Sequence, residues 1–145
     1  MKKIIAGLLV LCALTMVYSC KKRGELPAEL KLSAELIKDT TEIEYLDSTV
    51  YYFDTIQQGD KVEHTFRILN KGPHNFIIAH AAGSCGCTVP DYPKEPVKPG
   101  DTAVIHVTFN SAGKEMEQSK SVTLTCNTLQ HSEMLYLKGY VQVKK

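Results

Sequence analysis

A chain of 145 residues holds one ordinary domain and not two. Its 17 basic and 16 acidic side chains nearly cancel, which gives no electrostatic case for a nucleic-acid partner. Hydrophobic residues make up 43%, enough for a packed core, and five cysteines are too few for a disulfide-dense mini-protein.

The chain opens with Lys2 and Lys3, and an apolar stretch follows from Ile4 to Val17, broken by Gly7 and Thr15. It is short for a membrane-spanning helix and fits a secretory signal. Val17-Tyr18-Ser19-Cys20 resembles a bacterial lipobox, with an aliphatic residue, a small residue and then cysteine. The resemblance implies cleavage after residue 19 and a lipid on Cys20, with the membrane as a partner through that lipid. Ordinary cleavage with an unmodified thiol is the alternative. Losing Lys2 and Lys3 would turn the net charge from +1 to −1. Lys21, Lys22 and Arg23 would then lie beside the lipid, able to lean on anionic headgroups or simply to be solvated. Lys21 stands where an inner-membrane retention signal would have Asp, and no acidic export run follows. The expected location is therefore the outer membrane, facing the periplasm. Residues 20–40 read as a tether. Its segment Gly24–Asp39 reads as a linker or a short helix, with Pro27 suited to a first helical position.

From Thr41 the hydrophobic period becomes two. Ile43 and Tyr45 alternate with Glu42 and Glu44, and Val50 to Phe53 is a β-branched and aromatic run. Gln57-Gln58-Gly59-Asp60 is a turn, after which Val62, His64, Phe66 and Ile68 share one face. Asn70-Lys71-Gly72-Pro73 turns the chain again before an apolar strand at Phe76–Ala79. Pro99-Gly100-Asp101 precedes Ala103, Ile105, Val107 and Phe109, and Ser111-Ala112-Gly113 breaks the chain. Val122, Leu124 and Cys126 alternate with Ser121, Thr123 and Thr125, and Leu135, Leu137, Val141 and Val143 close the pattern. About seven short strands with turns at this spacing predict an all-β sandwich over residues 41–145. The Phe and Tyr residues are expected to pack in its core.

Several pieces in order carry a family resemblance. They are Phe53-Asp54-Thr55-Ile56, Gly59-Asp60-Lys61-Val62-Glu63-His64-Thr65-Phe66 and Leu69-Asn70-Lys71-Gly72. Ser84-Cys85-Gly86-Cys87-Thr88-Val89-Pro90, Pro99-Gly100, Val104 to Ser111 and Leu137-Lys138-Gly139-Tyr140-Val141 follow. Together, over about residues 48–143, they resemble the bacterial domain-of-unknown-function family 1573. The resemblance implies an immunoglobulin-like antiparallel sandwich, often found on lipoproteins of Bacteroidota, and implies no reaction. The family pattern has Gly where Asp54 stands, and Cys126 lies outside it.

Cys85, Cys87 and Cys126 remain after Cys20, and an odd number leaves one thiol over. Four arrangements are open. Cys126 could pair with Cys85 or Cys87, closing a loop of about 40 residues and adding about 4 kcal/mol on the chain-entropy model. Cys85 and Cys87 could bridge each other where Gly86 lets the backbone bend, as an easily reduced redox pair. The thiolates could hold a soft metal such as Cu(I). All three could be buried and inert. The expectation carried forward is the long-range bond, on the assumption that the Cys85–Cys87 segment bends at the sandwich rim within reach of the strand of Cys126.

No Ser-His-Asp order, phosphate loop or zinc motif appears, so an enzyme is not expected. No cofactor and no small-molecule substrate is indicated. The functional expectation is a non-catalytic, lipid-anchored interaction or scaffold module of the cell envelope, with an envelope protein as partner through a sheet edge or loop. The alternative is a small redox or metal-handling protein that uses Cys85 and Cys87.

Overall fold

The computed structural model describes residues 39–143. The signal segment, Cys20 and almost all of the tether lie outside them. Eight strands follow in chain order: β1 (Ile43–Tyr45), β2 (Val50–Gln57), β3 (Lys61–Asn70), β4 (Ile78–Gly83), β5 (Thr88–Asp91), β6 (Thr102–Asn110), β7 (Met116–Cys126) and β8 (Ser132–Gln142). They form two four-stranded sheets, ordered β1-β3-β6-β5 and β2-β8-β7-β4.

Alternation decides which side chains meet between the sheets. β3 and β6 pair antiparallel from Lys61 opposite Asn110 to Leu69 opposite Thr102. That register puts Val62, Phe66 and Ile68 on one inner face with Ala103, Ile105, Val107 and Phe109, all buried. The other sheet answers with Val122, Leu124, Leu135, Leu137 and Val141, also buried. Each large side chain sealed here contributes about 1.5–3 kcal/mol, so the core dominates stability.

Three features depart from the expected pattern. β2 pairs with β8 in parallel, from Val50 opposite Tyr136 to Gln57 opposite Gln142, with an irregularity between Tyr52 and Thr55. There Gly139 passes so close to Phe53 that an added Cβ would overlap its ring and carbonyl oxygen. Phe76 makes only an isolated bridge to Val97 and β4 begins at Ile78, because Asn127 takes the Ile77 amide with its side-chain oxygen at 2.8 Å. β5 is a strand despite Pro90, because it is an edge strand bonded on one side only. The Asn110 amide donates to the Cys87 carbonyl at 2.9 Å, so alternation turns the Pro90 nitrogen to the open edge.

One end of the sandwich is tied by two buried asparagines. Asn70 accepts from Thr41 Oγ1 at 2.8 Å and donates to the carbonyls of His74 and Val97 at 2.8 and 2.9 Å. Asn127 donates to the carbonyls of Asp39 and Asn75 at 2.7 and 2.8 Å. The chain therefore enters the domain at this end.

Candidate functional site

β4 leaves its sheet after Gly83, which is paired with Val122 of β7. The Ser84 amide still donates to the Ser121 carbonyl at 2.8 Å. The Ser121 amide, however, donates to Ser84 Oγ at 3.1 Å, so a side chain takes the place of the next ladder bond. The chain then crosses to the first sheet through residues 84–87 and enters β5 at Thr88. The Thr88 amide donates to the Cys85 carbonyl at 3.0 Å and closes the turn. Gly83 is needed for this crossing, because a Cβ there would run into the Thr88 carbonyl oxygen.

In this turn Cys85 and Cys87 are joined by a disulfide, with their Cα atoms 5.2 Å apart. Both are half-buried, and Cys87 packs against the core. Thr88 Oγ1 lies 3.5 Å from Cys85 Sγ and 4.0 Å from Cys87 Sγ, and Thr88 is itself buried. Neighbouring sulfurs and an inward hydroxyl thus share one corner of the sandwich.

The expected bond from Cys126 to Cys85 or Cys87 is not formed; Cys126 is a free, buried thiol. The register explains why. Cys126 pairs with Ile78 at the start of β4, whereas Cys85 lies beyond its end. Along β7 the six residues from Cys126 to Lys120, which is level with Cys85, separate them by about 20 Å, far past the roughly 7 Å that a disulfide can span. Burial pushes the Cys126 thiol up, and its Sγ lies 3.6 Å from Thr128 Oγ1. Nearby, Glu133 accepts from Thr128 Oγ1 at 2.9 Å and from Tyr45 OH at 2.7 Å. Burial, then the Glu133 carboxylate, push the Tyr45 phenol up, so it stays a donor. This cluster locks the end where the chain enters.

For the metal alternative, no group of three or more His, Cys, Asp or Glu is placed to hold an ion among the described residues. On the outer face of the first sheet, Thr65 Oγ1 lies 2.8 Å from His106 Nδ1, and Asp91 stands in register with His106. No bond joins Asp91 to His106 among the described residues, and the pair lies exposed on the sheet surface. It is a cross-strand contact between register partners of β3 and β6.

Two features escaped the sequence reading. Thr88 sits beside the sulfurs because β5 turns it inward, and β5 was hidden by Pro90. Tyr52 and Tyr140 are not core residues; they are 71% and 46% exposed and flank a shallow cleft with Asp54, Glu117 and Lys138. The alternation signal was present: Tyr140 is out of phase with Leu137 and Val141.

The family model described as "Protein of unknown function (DUF1573)" matches residues 45–141. The chain belongs to this family. No curated protein matches it. Solved structures share the fold of this DUF1573 domain. A protein of unknown function from Porphyromonas gingivalis W83 is 14% identical, with a TM-score of 0.61 over 72% of this chain and 48% of its own. The ASH/PapD-like domain 7 of human CEP192 is 10% identical, with a TM-score of 0.59 over 88% of this chain and 97% of its own. The secreted serine protease VesC of Vibrio cholerae is 8% identical, with a TM-score of 0.54 over 79% of this chain and 25% of its own. The chain thus spans about half the length of the first and a quarter of the third. At these identities the likeness establishes the immunoglobulin/PapD-like sandwich and nothing beyond it.

Proposed function

We propose that this DUF1573 domain is a lipid-anchored module of the bacterial envelope whose chemistry is thiol–disulfide exchange at Cys85 and Cys87. The observation that carries the reading is a bond between cysteines separated by one residue. As a staple such a bridge is weak. On the chain-entropy model a three-residue loop is worth about 1.6 kcal/mol, against about 4 for a loop of about 40 residues. A bridge that stabilises little, sits half-exposed in a turn and has a hydroxyl beside its sulfurs is suited to opening and closing.

The step balances without a further reactant. A thiolate of a partner protein attacks one sulfur, the Cys85–Cys87 bond breaks, and the other cysteine leaves as a thiolate. A second partner thiol then attacks the mixed disulfide. Two partner thiols become one disulfide, and the pair becomes two thiols. The Thr88 hydroxyl, 3.5 Å from Cys85 Sγ, is placed to donate to a thiolate there.

The basic start, the short apolar run and the lipobox ending at Cys20 support the anchor, and the absence of Asp after Cys20 supports the outer membrane. Cys20→Ser should move the protein out of the membrane fraction or leave it unprocessed. An unchanged mass and location would remove the anchor from the reading. The redox part is tested by equilibrating the full chain over a range of glutathione ratios, trapping thiols by alkylation and reading peptides by mass spectrometry. Cys85 and Cys87 should interconvert reversibly while Cys126 stays unmodified. A pair that remains oxidised over the whole range overturns the exchange. The scaffold reading would then stand, with the exposed Tyr52 and Tyr140 cleft as its support.

A further inference from the structure

We propose that Lys120 tunes the Cys85–Cys87 pair, its ammonium stabilising the Cys85 thiolate that opening the bridge releases. The inference rests on the exchange reading above and names the residue that sets its direction.

The placement follows from the register. Gly83 pairs with Val122, and Ser84 is bonded to Ser121. The next residue of β7, Lys120, is therefore level with Cys85. Alternation along β7 turns Val122, Leu124 and Cys126 inward, and Lys120 has the same phase. Its Nζ lies 5.7 Å from the centroid of the buried Phe109 ring. Phe109 is the register partner of Thr88, whose hydroxyl touches both sulfurs. The ammonium, the ring, the hydroxyl and the disulfide thus converge where β4 crosses to β5.

A lysine tip beside an aromatic core needs a reason. Among the described residues no carboxylate pairs with Lys120. Burial, then Lys114, push its ammonium down, so it lacks the compensation that a neighbouring anion would give. The strands turn few other titratable groups inward. Tyr51 on β2 stacks on His64 of β3 at 3.8 Å, and Leu137 separates Tyr51 from Lys120 in the register. Tyr45 of β1, Glu133 of β8 and Cys126 of β7 lie together at the opposite end. His80 of β4, Asp91 of β5 and His106 of β6 are in the outward phase. Lys120 is the inward-phase charge level with Cys85, and it is positive; Lys114 adds to the positive field at Lys120, while Asp60, in the turn before β3, keeps its carboxylate on the Gln57 amide at 3.0 Å.

A cation beside a thiol lowers its pKa and makes it a better leaving group and a larger thiolate fraction near neutral pH. Lys120 acts through its charge, so it is a positioning residue and not a catalytic one. The test uses the full chain, reduced, with iodoacetamide alkylation of Cys85 and Cys87 followed separately from pH 5 to 10. Wild-type Cys85 should titrate below the ordinary thiol value, near 8.5. Lys120→Gln should raise it by about one pH unit, and Lys120→Arg, which keeps the charge, should restore it. Circular dichroism confirms that each variant is folded. If Lys120→Gln does not fold, a Lys120→Arg protein with a wild-type profile, together with a rise of the wild-type Cys85 value in high salt, supports the inference. A Cys85 titration unmoved by both charge loss and salt overturns it. Failure of the glutathione equilibrium would overturn exchange itself, a separate readout from the thiol titration.

Discussion

His64 is held between two rings. It stacks on Tyr51 at 3.8 Å and meets Phe66 edge-on at 4.6 Å. Burial holds its imidazole below the ordinary value of 6.5, with Asp47 opposing weakly. The unfolded chain therefore takes up this proton more readily than the folded one. Stability from this site is complete above about 6.5 and falls as the pH drops through 6.5 toward the folded value. Urea midpoints measured at pH 7.5, 6.5 and 5.5 should decline in that order. His64→Gln should flatten the decline, and an equal slope in the variant would place the proton uptake elsewhere. The Arg67 guanidinium holds the Asp47 carboxyl low, and this contribution is lost only in stronger acid.

At the scale of the elements, the β4–β5 crossing is fixed mainly by backbone bonds. Ser84, Thr88 and Cys87 each have a main-chain partner without the disulfide. Reducing Cys85–Cys87 should therefore lower stability by less than about 2 kcal/mol, read as the shift in urea midpoint on adding a phosphine reductant. A loss near 4 kcal/mol would make the bridge a staple and weaken the exchange reading. Most of the strands were legible because their alternation is local. Val62, Phe66 and Ile68, or Ile105, Val107 and Phe109, declare their face within a few residues. What was not legible is non-local. No neighbour of Cys126 reveals that its strand runs antiparallel to β4 with Ile78 opposite, and that pairing alone separates it from Cys85. β5 was masked by Pro90, whose missing N–H matters only if the strand is known to lie at an edge.

For the whole molecule, the disulfide stands well away from the entry of the chain. Asn127 ties down Asp39, and seven residues of β7, about 23 Å of strand, lead from there to the level of Cys85. The placement of β8 has a different kind of consequence. It lies between β2 and β7 and is the strand to which β2 pairs. A ribosome adding about 5–20 residues per second would leave β2 waiting roughly 5–18 seconds for its neighbour. The second sheet therefore cannot close during most of translation, whereas the strands of the first, β1, β3, β5 and β6, are all complete by Asn110.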